Sequence, residues 1–211
     1  MEDVSDPPFR ALCKENGADV VYHNLHQINS QRNRRKYFFP VKSRILKRPI
    51  FEDLLLNGNR IPNSSVVMKK SLLTQVGLIS EDRSTVTWED YDTWIQIATR
   101  TEDFKRIPKT LGYYWAGGDN LSSTEQDIEN MKTIRKKYSQ FYESRLSDTN
   151  PWWMRFNLGK SYLKLRNYER ARINLLDGGR FPQLRFELQR WFLLLICFIK
   201  LGVYHPAKYN D

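Results

Sequence analysis

Residues 9–22 read FRALCKENGADVVY, and this stretch contains the two elements that decide the fold class. Its first eight residues carry apolar side chains at helical spacing, and the pair Asn16-Gly17 ends that helix. Residues 19–22, DVVY, have the composition of a short buried strand. A helix followed by a turn and a strand predicts an α/β fold.

Downstream of this stretch, predicted strands and helices follow one another up to about residue 115. Residues 88–98, WEDYDTWIQIA, form a predicted helix whose acids crowd its first turn, where the helix dipole favours negative charge. The predicted elements in chain order are a helical turn at 51–56, a strand at 61–68, helices at 69–76 and 88–98, and strands at 104–108 and 111–115.

From Ser122 onward the sequence is helical. Ser122 and Glu125 have the spacing of a capping box, and apolar residues then recur every three or four positions up to Phe141 as one helical stripe. Leu158, Gly159, Tyr162 and Ala171 match the tetratricopeptide pattern L-G-x-x-Y…A, which predicts helices near 152–165 and 168–176. We therefore expect an α/β domain at 1–123 and an all-helical, tetratricopeptide-like tail at 124–211.

The last predicted helix, at 183–201, contains the longest apolar run of the chain, Trp191–Ile199. Nine residues are too few to span a bilayer, which needs about 20. Because the run is apolar all round, two interpretations stay open. The helix is either fully buried, or docked on a partner protein or on a membrane surface.

Composition excludes several classes of protein. Among the 211 residues, 40% are hydrophobic and 13% aromatic, which is enough for a core and excludes global disorder. Cys13 and Cys197 lie far apart, which excludes a disulfide framework and a Cys-rich zinc site. Reduced thiols and an acidic N-terminus without an apolar segment predict a cytoplasmic protein without a signal peptide.

A net charge of +10 favours a polyanionic neighbour, and the basic residues concentrate in one segment. Residues 29–48 contain eight Lys and Arg, and no acid occurs between Asp19 and Glu52. We expect a long, partly mobile loop. It is either a solvated face with aromatic anchors or a flap over phosphates or an acceptor, with Arg34, Arg35 and Lys36 as candidate binding residues. Nucleic-acid binding is a further alternative, which the lack of a recognised motif disfavours.

Four ordered blocks carry a resemblance to a known family. The chain resembles the second half of bacterial family-two glycosyltransferases of the GT-A fold over roughly residues 18–123. The blocks are IPNSSVVMKKSLL with the following VGL at 61–78, WEDYDTW at 88–94, IPKTLGYY at 107–114 and DNLS at 119–122. The resemblance implies a partial GT-A-like mixed sheet with flanking helices.

The resemblance also implies an activity and its residues. Such enzymes transfer a sugar from a nucleotide-sugar to an acceptor hydroxyl with inversion, and the poorly nucleophilic hydroxyl needs a carboxylate base. The matching position is Asp90, with Glu89 as its support, and the blocks contribute Ser64, Ser65 and Trp88 as substrate-binding candidates. Asp92 lies on a different helix face. On residue types alone, the interpretation that these acids only cap a helix is favoured, and the context of the four blocks reverses that preference.

The implied setting is surface polysaccharide or lipopolysaccharide biosynthesis. The partners would be a nucleotide-sugar and a glycan or lipid-linked acceptor, at the cytoplasmic side and in peripheral contact with the inner membrane face. The family also uses a divalent metal, Mn²⁺ or Mg²⁺, held by an acidic D-x-D loop. That loop and the nucleotide-binding unit are not evident in this chain, and Glu2, Asp3 and Asp6 are its only candidate remnant.

Two expectations follow from this departure. The chain alone is expected to be impaired or inactive as a transferase. The alternative is a non-catalytic interaction module that associates with itself or with a separate chain carrying the nucleotide-binding half. No residue is assigned to a metal, because His23 and His26 are expected to make local hydrogen bonds and no histidine occurs at 115–120.

Overall fold

The computed structural model describes residue 15 and residues 17–28, 40–81, 87–116, 123–147, 149–177, 179 and 181–204. The chain divides into two compact units, Met1–Leu121 and Ser122–Asp211. Nearly all of the helix expected at 9–16, the acids Glu2, Asp3 and Asp6, and the candidate residues Arg34, Arg35 and Lys36 lie outside the described residues.

The first unit is built on a small mixed sheet, which confirms the α/β class. Strand β1 (Val20–Ile28) is its centre. It pairs antiparallel with β2 (Pro40–Val41) and β3 (Val67–Met68), and parallel with β4 (Phe104–Trp115). Val20 to Leu25, the first six of its nine residues, are buried, as expected for a strand segment covered on both faces.

Strand β4 differs from its prediction. Sequence reasoning places two strands at 104–108 and 111–115, whereas the structure has one strand of 12 residues. Its register against β1 shifts after the pair His23–Ile107, and Asn24 lies opposite Thr110. Pro108 has no N–H to donate, so the strand passes it by a bulge and continues.

Within the described residues of this unit, three helices flank the sheet: α1 (Ile50–Asn57), α2 (Lys70–Gln75) and α3 (Glu89–Ile97). A 3₁₀ turn at Asn63–Ser65 leads into β3. Helix α3 buries Tyr91, Trp94 and two isoleucines almost completely. The Tyr91 hydroxyl donates to the carbonyl of Leu54 at 2.7 Å, which fixes α3 against α1 and so holds the acidic first turn of α3 in place.

The described part of the basic segment, residues 40–48, is bonded to α1 and to the residue that follows α1. The Arg44 guanidinium is paired with the buried Asp53 carboxylate and donates to the carbonyls of Asp53 and Gly58. Asp53 also accepts from the Lys47 N–H at 2.9 Å and from the Asn57 amide at 2.8 Å. Arg44 is therefore a structural residue, and the expected loop is held to α1 at this point.

The second unit contains five helices among the described residues: α4 (Thr124–Lys137), α5 (Ser139–Leu146), α6 (Trp152–Lys164), α7 (Tyr168–Leu176) and α8 (Leu184–Tyr204). The single stripe predicted up to Phe141 is divided between α4 and α5, which meet at Tyr138. The observed N-cap of α4 is Ser123, whose hydroxyl accepts from the Gln126 N–H at 3.0 Å, one residue later than predicted.

Helices α6 and α7 confirm the predicted helix pair and pack closely. A Cβ on Gly159 would lie 2.5 Å from Cγ of Leu175, so only glycine allows the two helices this approach. Ala171 and Leu175 of α7 are fully buried at the same contact. The small residues of the L-G-x-x-Y…A pattern therefore serve the packing of the pair.

Helix α8 is buried on one side only, so the fully buried interpretation is wrong. Leu194 and Cys197 are completely buried, whereas seven large apolar side chains of the same helix are more than half exposed. Arg190 holds the helix to its neighbours, since its Nε donates to the Leu175 carbonyl at 2.6 Å and its Nη1 to the Gly179 carbonyl at 3.0 Å. Among the described helices, none has the length and apolar character needed to cross a bilayer.

Candidate functional site

The candidate site is the acidic start of α3. Glu89, Asp90 and Asp92 all lie in the first turn, directly after the N-cap residue Trp88. The side chain of this N-cap residue makes no capping hydrogen bond. The acceptors that remain for the N–H groups of the first turn are therefore the backbone and the acidic side chains. The three carboxyl groups differ in environment, and these differences separate their roles.

Asp90 has the environment of a base that titrates near neutral pH. Burial raises the pKa of its carboxyl to about 6, because an ionised oxygen loses hydration there. The Tyr91 N–H, which donates to Asp90 Oδ1 at 2.6 Å, opposes this shift, and the negative charge of Glu89 adds to it. A carboxyl group tuned in this way can hold or release a proton at physiological pH.

Glu89 adds its negative charge to the effect of burial, which is the main cause of the raised pKa of Asp90. Its Oε2 is buried and has no hydrogen-bond partner within the described part of the chain. A buried acceptor without a partner costs free energy, typically about 1–3 kcal/mol, so folding alone does not favour it. We therefore interpret Oε2 as an acceptor for a hydrogen bond from a bound molecule, which would remove this free-energy cost.

Asp92 has a structural role. It is 3% exposed, and its Oδ2 accepts from the Gln96 side-chain amide at 2.7 Å, one turn further along α3. Its side chain is thus used inside the helix, by a hydrogen bond to a neutral amide.

The backbone that enters α3 is strained at Thr87. This residue has φ of 78°, in the left-handed region that a β-branched side chain rarely adopts. Such conformations cost about 1–3 kcal/mol and cluster at functional sites. Trp88 follows and meets the Tyr91 ring edge-on, with centroids 5.6 Å apart. Sequence reasoning missed Thr87 and the anchoring role of Tyr91, and a positive φ at threonine leaves no signal in the sequence.

The two candidate serines differ from each other. Ser65 is buried, and its hydroxyl donates to the Pro62 carbonyl at 2.7 Å within the 3₁₀ turn, so its side chain stabilises that turn. Ser64 is exposed. Of the serine pair, Ser64 is thus the better candidate for contact with a substrate.

The described residues do not supply the metal ligands that the resemblance implies. No three His, Cys, Asp or Glu side chains among them are grouped closely enough to hold an ion. His23 is buried, with Nδ1 2.7 Å from the Asn24 carbonyl oxygen, and the ring of His26 lies 5.6 Å from that of Tyr113. Both histidines therefore make local contacts.

Comparisons of the chain with protein-family models, with curated proteins and with solved structures find no match.

Proposed function

We propose that this chain supplies the acceptor side of an inverting, family-two-like glycosyltransferase, with Asp90 as its general base. The observation that carries the proposal is the Asp90 carboxyl, whose pKa is raised to about 6 in the first turn of α3. The mixed sheet and the order of β3, α2 and the acidic turn are those that the resemblance implies.

The chemistry needs one proton acceptor on this side of the reaction. Asp90, ionised, takes the proton of the acceptor hydroxyl as its oxygen forms a bond to the anomeric carbon of the donor sugar. The bond from that carbon to the donor's phosphate oxygen breaks, and the nucleoside diphosphate leaves with the electron pair. The proton remains on Asp90, and attack from the opposite face inverts the configuration.

Glu89 and Trp88 have supporting roles in this proposal. Glu89 raises the pKa of Asp90 by its charge, and its buried Oε2 offers an acceptor to a sugar hydroxyl. Trp88 directly precedes the acids and is half-buried, and its aromatic ring is of the kind on which sugar rings pack. The proposed donor is a nucleotide-sugar, and the proposed acceptor is a glycan or lipid-linked glycan of surface polysaccharide assembly.

Transfer from a panel of nucleotide sugars, with Mn²⁺ present and enough protein to detect the low rate expected of this chain alone, tests this function. Asp90→Asn is expected to lower transfer about a hundredfold, the lower end for loss of a general base. Asp127→Asn is the matched control, because Asp127 also lies in the first turn of a helix, α4, and should leave the rate unchanged. Transfer that Asp90→Asn leaves intact would remove Asp90 from the role of base.

A second candidate, a non-catalytic interaction module, is favoured by the end of β4. Leu111, Tyr113, Tyr114 and Trp115 are all between 38% and 56% exposed on this strand. Exposed aromatic residues on a long strand are typical of surfaces that bind another chain. A wild-type chain that turns over no donor of the panel, and forms a dimer by light scattering, would favour this candidate.

A further inference from the structure

The outward face of α8 is entirely apolar. The residues at helical spacing along it are Leu184, Leu188, Trp191, Phe192, Leu195, Phe198 and Ile199. Each is between 51% and 75% exposed. Soluble monomers seldom expose a continuous apolar patch of more than a few hundred Å², and larger patches mark contacts with a protein or a membrane.

The opposite side of α8 is firmly held, so this exposure belongs to the fold. Phe186, Leu194 and Cys197 are buried, and the Arg190 guanidinium is buried among carbonyls of α7 and the following loop. The helix is fixed by these contacts while its outward face contacts solvent. An apolar face presented on a rigid helix is suited to docking.

The charges around the face are positive. Arg185 and Lys200 are exposed beside it, near its two ends. Glu187 is the one acid of the described helix, and it is already bonded to the Arg190 guanidinium, the Phe181 N–H and the Trp191 indole N–H. The helical unit as a whole has sixteen Lys and Arg against nine Asp and Glu.

These charges disfavour one occupant of the face, a second copy of the chain in an antiparallel pair. In an antiparallel pair of α8 helices centred between Phe192 and Leu193, Arg185 of one copy would face Lys200 of the other. That arrangement brings like charges together, which is unfavourable, whereas an anionic surface is complementary to the cations.

We propose that α8 docks the protein peripherally on an anionic lipid bilayer. The helix lies in the plane of the interface, about 30 Å long at 1.5 Å per residue, and inserts its apolar face at the level of the headgroups. Trp191 and Phe192 lie at the centre of the inserted face, and Arg185 and Lys200 contact anionic headgroups at its border. This inference does not depend on the transferase proposal.

Vesicle co-sedimentation with the full chain tests it. Wild-type protein is expected to sediment with vesicles of phosphatidylcholine and phosphatidylglycerol, and much less with phosphatidylcholine alone. Leu188→Glu and Leu195→Glu should each weaken binding at least tenfold. Ile45→Glu is the matched control, because Ile45 is 71% exposed in the other unit, and it should bind as wild type does.

The charged border is tested separately. Arg185→Gln combined with Lys200→Gln should weaken binding to anionic vesicles about thirtyfold, since each cation near such a surface contributes about 1 kcal/mol. The proposal is overturned if wild-type protein fails to sediment with anionic vesicles. A dimer in light scattering that Leu195→Glu dissociates would identify a second copy as the occupant. A monomer that does not bind vesicles would show that the face has no role in lipid binding. Because the lipid comparison uses wild-type protein, misfolding of a variant cannot obscure the outcome.

Discussion

Replacing Asp90 by asparagine is expected to increase the free energy of unfolding at pH 8 by up to about 3 kcal/mol. The carboxyl has a folded-state pKa of about 6 against an ordinary value of 3.8. Each pKa unit corresponds to about 1.4 kcal/mol, so ionised Asp90 destabilises the folded chain by about that total. Asparagine has nearly the same shape and no charge, and therefore removes this cost.

The size of the stabilisation by Asp90→Asn depends on pH. Below pH 3.8 the carboxyl is protonated in both states, so the variant gains no stability. Between pH 3.8 and 6 the folded state holds a proton that the unfolded state has lost, and the stability of the wild type falls as pH rises. Above pH 6 the full difference is present.

Urea denaturation at pH 4, 6 and 8 measures this difference. Asp92→Asn is the control on the same helix turn, because the Asp92 carboxylate accepts from Gln96 inside the fold and its replacement should bring no gain. An Asp90→Asn variant less stable than the wild type at pH 8 would show that the charge is not a cost to folding. A role in catalysis would then be a weaker explanation for an acid at position 90. Residues that destabilise the fold are retained chiefly where activity needs them.

Arg44→Met is expected to lower the free energy of unfolding by about 3–5 kcal/mol, the cost of leaving one partner of a buried ion pair without the other. Asp53 is 5% exposed, so water cannot replace the guanidinium. Methionine keeps much of the apolar stem and removes the charge. The loss should be measurable as a shift of the denaturation midpoint in urea.

Two further variants make this result specific. Arg48→Met is the matched control in the same basic segment, since Arg48 and Asp103 form an exposed pair 3.4 Å apart and such pairs contribute about 0–1 kcal/mol. Adding Asp53→Asn to Arg44→Met should recover part of the loss, because no unpaired carboxylate remains. Equal effects of Arg44→Met and Arg48→Met would mean that the buried pair does not hold this segment.

The helices of the second unit could be predicted because their signals are local. The spacing of Leu158, Gly159 and Tyr162 encodes one packed face, and the pair α6–α7 begins and ends close to the predicted residues. The boundary between α4 and α5 could not be predicted, since the apolar spacing continues through Tyr138 without a change.

Strand β4 and the site itself depend on partners distant in sequence. Pro108 reads as the end of a strand, and only pairing with β1 shows that the strand continues. The acids of α3 could be located from sequence, whereas the separation of their roles could not. Asp90 is set apart by burial and by the charge of Glu89, and Asp92 by its hydrogen bond to Gln96.

The orientation of α8 could not be predicted for the same reason, since it also depends on contacts with residues distant in sequence. The run Trp191–Ile199 is apolar all round, so periodicity cannot tell its buried side from its exposed side. The contacts of Arg190 with α7 decide that orientation. A sequence whose apolar residues exceed what its own core can cover predicts a docking surface without showing where it lies.

The most direct test of the base is the titration of its carboxyl group by carbon-13 NMR, with the signal assigned by comparison with Asp90→Asn. We expect a midpoint near pH 6, and a lower midpoint in Glu89→Gln because the neighbouring negative charge is removed. A midpoint near 3.8, unaffected by Glu89→Gln, would mean that Asp90 is an ordinary surface acid and would contradict its role as the base.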